Sequence, residues 1–175
     1  KNQKILYLDA PVLRVCLPDV NAPFSKPLFD AWLPSPKQII DAVKDGSSHD
    51  MLVGVRLSGN EKEFQGMELK GTLELIEELN KNESIDYINV TAGTSAGLKG
   101  STHIVPSMRF EPGYTLPLSQ AIKDVSDKPV FVAGRINTPQ LADKALIQGS
   151  ADMCGMTRAI ISDPEMPLKA ETGRF

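Results

Sequence analysis

Residues 129–136 read Pro129-Val130-Phe131-Val132-Ala133-Gly134-Arg135-Ile136. A short, unbroken apolar run of this kind fits a strand buried on both faces, as in parallel sheets. Downstream, Thr138-Pro139 opens a helix, because Thr can cap and Pro is tolerated in the first turn. Leu141, Ala142, Ala145, Leu146 and Ile147 continue it, and Gly149 stops it. Ala151-Asp152-Met153-Cys154-Gly155 is the next strand. Upstream, the pattern predicts a helix over Leu116–Val125, a strand over Ile85–Thr91 and a helix from about Met67 to Leu79. Before these come a strand buried on both faces at Met51–Leu57 and a helix over Pro36–Lys44. Strands alternating with helices argue for right-handed β-α units and a parallel sheet.

Two stretches depart from this rhythm. Residues 92–114 form a long loop rich in Gly, Ser and Thr, and long loops in such units are usually functional. Prolines 11, 18, 23, 27, 34 and 36 punctuate the N-terminal part, so irregular chain is expected up to residue 36. Short apolar runs at Ile5–Leu8 and Val12–Leu17 read as strands, and Phe29 and Trp32 as packing against a neighbouring surface.

Composition excludes several classes. The chain carries 19 Lys+Arg against 22 Asp+Glu, a formal net charge of −3, which disfavours sequence-independent nucleic-acid binding. With 41% hydrophobic and 23% charged residues it is too apolar to be disordered. No apolar run approaches the roughly 20 residues of a membrane-spanning helix, and the apolar stretch near the start is too short for a signal peptide. Cys16 and Cys154 lie at no metal or redox spacing, so a reduced, cytoplasmic chain is the simpler reading.

In parallel α/β folds the ligand lies at the carboxyl ends of the strands. The residues leaving the strands are Arg56-Leu57-Ser58, Thr91-Ala92-Gly93-Thr94, Ala133-Gly134-Arg135-Ile136 and Cys154-Gly155-Met156-Thr157-Arg158. Glycine lets backbone N–H groups approach a phosphate, and arginine supplies a permanent charge with a planar fork of donors. One Gly-Arg alone equally fits a tight turn with a solvated charge. The pair on adjacent strands reads as a phosphate cradle, placed as on the last two strands of a (β/α)8 barrel. Arg56, at the end of an apolar strand, is either half of a salt bridge across the barrel mouth or a cation facing an anionic or electron-rich ligand. His49 reads as a solvated turn residue, His103 as a candidate substrate contact in the long loop, and Cys154 as a small buried hydrophobe. There is no P-loop, no nucleophile elbow and no GxGxxG after a strand.

At these strand ends the sequence resembles the Old Yellow Enzyme family of flavin-dependent oxidoreductases. The matching stretches are Val53–Ser58, Asp86–Gly93, Pro129–Ile136 and Ala151–Ala159, followed by Ser162-Asp163-Pro164-Glu165, Lys169 and Gly173-Arg174. Within the family it is most similar to the branch of trimethylamine dehydrogenase, 2,4-dienoyl-CoA reductase and related N-demethylases. The resemblance implies a (β/α)8 TIM-type barrel with FMN at the carboxyl ends of the strands and hydride transfer at flavin N5. It places Arg56 on the fifth strand, facing the pyrimidine edge of the flavin. It implies an FMN site made of Arg56, Ala133, Gly134, Arg135, Cys154, Gly155, Met156, Thr157 and Arg158. Thr91, Gly93 and His103 fall on the substrate side.

The first four strands of that barrel, with their catalytic donor residues, are not recognisable before residue 50, and 175 residues fall below the roughly 200 of a full barrel. The expectation is therefore an irregular N-terminal segment, residues 1–50, followed by the carboxyl half of an FMN barrel, residues 51–175, in a fragment or a split subunit. A [4Fe–4S] cluster is implied only for a longer parent, beyond Gly173-Arg174-Phe175. The expected partners are a small-molecule substrate and either a second copy or a complementary half-barrel, with no nucleic acid and no membrane. The alternative reading is a non-catalytic half-barrel that binds flavin or phosphate, or serves assembly.

Overall fold

The computed structural model describes residues 25–46, 51–81, 83 and 85–174. The strands expected at 5–8 and 12–17, with Cys16, Phe24 and His49, lie outside the described residues, as do the side chains of Phe29 and Trp32. The chain divides into two compact units, Lys1–Val53 and Gly54–Phe175.

The first unit holds α1 (Lys26–Trp32) and α2 (Pro36–Gly46). α1 corrects the expectation of irregular chain up to residue 36. Pro27 sits in its first turn, where the missing N–H needs no partner, and the helix ends before Pro34. α2 begins with a reciprocal cap: Gln38 N–H donates to Ser35 Oγ at 3.2 Å, and Ser35 N–H donates to Gln38 Oε1 at 2.7 Å.

The second unit runs β1 (Gly54–Ser58), α3 (Leu69–Asn80), β2 (Tyr87–Thr91), α4 (Leu98–Ile104), α5 (Leu116–Lys123), β3 (Val130–Ala133), α6 (Pro139–Ile147), β4 (Met153–Gly155), α7 (Thr157–Ser162) and α8 (Met166–Glu171). The four strands form one parallel sheet in the order β1-β2-β3-β4. The expected fold class holds. Thr138 caps α6 by accepting from Leu141 N–H at 3.3 Å, and Gly149 follows it at φ +71°, a conformation glycine adopts freely.

Strand alternation divides the sheet into two faces. Ile88, Val90, Val130 and Val132 are fully buried on the helix side, where Ile76 of α3, Ile122 of α5 and Ala145 of α6 are fully buried too. Burying each Val or Ile stabilises the fold by about 1.5–3 kcal/mol. The opposite face carries Arg56, Asn89, Phe131 and Met153 in one register row. The Tyr87 and Phe131 rings stack on this face with centroids 4.7 Å apart. Tyr87 also lies across Gly54, where its ring fills the space a Cβ would need.

Two expectations need correction. β1 starts at Gly54, not Met51, and Met51 and Leu52 are exposed. Among the described residues it pairs with β2 alone, and it is buried less than the apolar run suggested. The loop at 92–114 contains the helix α4, which carries His103 in its last turn. A Cβ at Gly100 within α4 would come within 2.7 Å of the Thr94 side chain and 2.9 Å of the Glu61 carbonyl, so glycine allows this helix to pack closely.

Candidate functional site

The four strand exits open onto a cavity of about 640 Å³. Arg56, Thr91, Ala133, Gly134, Gly155 and Arg158 line its strand side, and the segment His103–Pro106 with Met108 forms the opposite wall. The inward-facing residues at the mouth are small: Ser58, Thr91, Ala133 and Gly155. A Cβ at Gly155 would sit 3.3 Å from that of Ala133 and fill space the cavity now uses. Gly134 has a further structural reason, since the Thr115 side chain packs where its Cβ would go.

Arg135 does more than line the cavity. Its backbone is left-handed at φ +52°, uncommon for a residue with a side chain. Its Nη1 donates to the carbonyls of Ser107 and Phe110, both at 2.7 Å, and its own carbonyl accepts from Gly113 N–H at 3.1 Å. It thereby ties the segment between α4 and α5 to the end of β3. That commitment takes Nη1 away from the expected cradle and leaves Arg158, of its two arginines, without a hydrogen bond or ion pair among the described residues. Arg56 likewise has no hydrogen bond or ion pair among the described residues, so no salt bridge across the mouth engages it.

The clasped segment packs on an aromatic trio. The His103 ring meets Phe110 edge-on at 4.5 Å and lies 5.8 Å from Tyr114. The Tyr114 hydroxyl donates to the His103 carbonyl at 2.7 Å. Burial holds the His103 imidazole below its ordinary pKa, helped by the charges of Lys62 and Lys99, and this favours the neutral ring. Burial raises the Tyr114 phenol pKa, against the pull of Arg158.

Arg56, Thr91, Ala133, Gly134, Arg135, Gly155, Thr157, Arg158 and His103 meet at the cavity. Gly93 lines a neighbouring cavity of about 440 Å³ that shares Arg56, Thr91, Ala92 and Ile104 with the first. Cys154 and Met156 do not join them. Cys154 faces the helix layer, packs on Val132, Ile136 and Ala151, and has its Sγ 3.9 Å from the Ala142 carbonyl. Burial pushes its thiol pKa up, as fits an inert core residue. Met156 packs on the same cluster. The sequence reading missed the wall residues Ile104, Val105 and Met108, whose signal was an apolar run inside a polar loop, and Tyr114.

These features suit a ligand with one anionic and one electron-rich part. Two guanidinium groups without protein partners border a cavity floored by small side chains. Among the described residues no group of His, Cys, Asp or Glu could hold a metal ion, and no helix is long and apolar enough to cross a membrane.

Residues 35–175 match the NADH:flavin oxidoreductase / NADH oxidase family. An NADH oxidase from Thermoanaerobacter brockii is 32% identical over 146 residues, which cover 83% of this chain and 22% of that protein. A probable N-methylproline demethylase from Rhizobium meliloti is 28% identical over 131 residues, covering 75% and 19%. The solved structure of a 2-naphthoyl-CoA reductase complex with 2-naphthoyl-CoA superposes with a TM-score of 0.66 at 25% identity, over 78% of this chain and 20% of that one. Morphinone reductase in complex with tetrahydroNAD superposes with a TM-score of 0.53 at 17% identity, over 80% and 34%; this second likeness concerns the fold, and the four-stranded sheet is part of its TIM-type barrel. The chain spans about a fifth of the length of curated relatives such as the NADH oxidase and the N-methylproline demethylase.

Proposed function

Because the chain belongs to the NADH:flavin oxidoreductase / NADH oxidase family, we propose that its larger cavity is the phosphate and pyrimidine side of an FMN site in an oxidoreductase acting on a small substrate. The observation that carries this reading is the pair Arg56 and Arg158, two cations without protein partners on one cavity. When bound, FMN supplies hydride transfer at its N5.

The chain's own residues have separable tasks. Arg158 and the backbone N–H groups at Gly134 and Gly155–Thr157 hold the phosphate. Arg56 places a fixed positive charge where negative charge collects on reduction, a preorganised electrostatic contribution. Thr91, Gly93 and His103 face the substrate side, where a neutral imidazole offers a hydrogen bond without adding charge. The apolar side chains of Ile104, Val105 and Met108 line the same cavity and would lie against the ligand.

The test is a visible-absorption titration with FMN and with riboflavin. Perturbed flavin bands with tighter binding of FMN support the site, and equal affinity for the two removes the phosphate assignment. Among the described residues β1 and β4 pair on one side only, which favours a second reading, a flavin-binding assembly module completed by another copy or a complementary half-barrel. Bound flavin without turnover of NADH would favour the module, and turnover the enzyme.

A further inference from the structure

α4 has seven residues, and a helix so short is unstable alone in water. Its N-cap is Gly97, which offers no side chain to the free N–H groups of the first turn. Gly100 is its one buried residue and Leu98 is exposed, so little apolar packing holds it. Its last turn nevertheless brings His103 and Ile104 to the larger cavity.

A different loop supplies the missing cap. Glu63 Oε2 accepts from Gly100 N–H at 2.9 Å, across 37 residues of chain, and Glu63 Oε1 accepts from Phe64 N–H at 3.0 Å. The Gly100 amide, ahead of that of Phe64, holds the Glu63 carboxyl below its ordinary pKa, so the group is charged at neutral pH. A Cβ at Gly97 would overlap the Glu63 carboxyl group. The Gly97 backbone is extended at φ −148°, which any residue adopts, so glycine stands there to make room for the carboxylate. The loop that carries Glu63 is itself fixed. Its Asn60 carbonyl accepts from Gly93 N–H at 3.0 Å, and its Glu61 carboxylate accepts from Met67 N–H at 2.7 Å. The loops leaving β1 and β2 are thereby joined beside the neighbouring cavity, which Glu61 and Ile104 both line.

We propose that Glu63 is a positioning residue for His103: its carboxylate caps α4 from a separate loop and so fixes the turn that holds the imidazole at the cavity. What His103 meets there rests on the flavin reading, whereas the cap does not.

The experiment follows the His103 imidazole by proton NMR through a pH titration of the full chain, with His49→Gln in every sample so that one histidine signal remains. Lys62 and Lys99 are the charges acting on this ring, and Phe110 and Tyr114 face it. Dispersed amide signals from β2 and β3 show that the sheet is intact. Glu63→Ala is expected to raise the His103 pKa toward its ordinary value as the ring loses its burial. Loss of a negative charge would by itself lower that pKa, so a rise reports position rather than charge. Gly97→Ala, whose methyl group displaces the carboxylate, should give the same rise, and the two changes together no more than either alone. Glu63→Gln keeps an acceptor for Gly100 N–H and should keep the natural titration. Gly97→Ser caps the helix locally and should restore that titration in the Glu63→Ala background. An unchanged or lowered His103 pKa in Glu63→Ala, additive effects of the two alanine changes, or no recovery with Gly97→Ser would overturn the proposal. A series that behaves as stated in a protein that binds no FMN would remove the flavin reading and leave Glu63 in its role.

Discussion

Arg135 Nη1 reaches across 25 residues of chain to donate to the Phe110 carbonyl at 2.7 Å. The same nitrogen serves Ser107, so one side chain fixes the segment that walls the cavity. A hydrogen bond from a charged donor is worth about 1.5–3 kcal/mol. Arg135→Ala is expected to lower stability by about that amount and to speed proteolysis between residues 105 and 112, measured by denaturation and limited digestion. FMN and riboflavin affinities should fall together, since the lost bonds are to protein carbonyls. A loss confined to FMN would return this guanidinium to the phosphate.

Arg158 behaves differently because no protein acceptor holds it. Arg158→Ala should weaken FMN about ten- to a hundredfold and leave riboflavin nearly unchanged, as read by fluorescence titration. Stability should be unaffected, because an exposed unpaired side chain contributes little to it. Parallel losses for the two ligands would contradict the phosphate role.

Tyr87 covers Gly54, so the two should be energetically coupled. Gly54→Ala in the natural background forces the ring off the strand and is expected to destabilise by about 1–3 kcal/mol, the usual cost of overpacking. In a Tyr87→Ala background the same change should be close to neutral. Chemical denaturation of the four proteins tests this, and equal costs in both backgrounds would show that backbone conformation, not the ring, selects glycine.

Asp152 sets an acid limit on stability. Its carboxylate pairs with Lys123 and accepts from Val130 N–H at 2.8 Å, and these contacts hold its pKa below the ordinary value. A carboxylate depressed in the folded state stabilises the fold above the unfolded pKa of about 3.9 and loses that contribution as pH falls through the folded value. Asp152→Asn should therefore reduce stability modestly at pH 7 and flatten the loss below about pH 4, as followed by thermal unfolding across pH. An unaltered acid limb would assign that loss to other carboxylates.

Among the described residues the sheet ends on two strands with one neighbour each, and Met51, Leu52 and Met153 at these edges are exposed. Unpaired edges and open apolar faces invite association. Sedimentation of the 175-residue polypeptide is expected to show dimers or larger species at micromolar concentration. A stable monomer with protected amides in β1 and β4 would argue against exposed edges.

Much of this was legible from residue order. β-branched runs marked β2 and β3, and Thr138-Pro139 and Gly149 bracketed α6 because caps and breakers act locally. The site was partly legible, since glycine and arginine recur where strands end. What escaped depends on geometry that sequence order does not carry. Strand parity turns Cys154 to the helix layer while its neighbour Gly155 faces the cavity. At Arg135 the backbone is left-handed and the guanidinium is bonded to the loop between α4 and α5. α4 is short and interrupted by Gly100, so it has too few apolar positions to show a helical period.

The order β1-β2-β3-β4 repeats the order of the chain. Each strand's partner has therefore already been synthesised when that strand leaves the ribosome, and the sheet can grow by adding one edge at a time. Pairings between consecutive β-α units keep contact order low for a parallel sheet, which favours fast folding and limits the time that apolar strands spend exposed. Such growth also makes the last edge, Met153–Gly155, the most recently fixed part of the site. The backbone leaving β3 and β4 is thus completed only after β1 and β2 are in place, so this end of the cavity is the last part of the sheet to form.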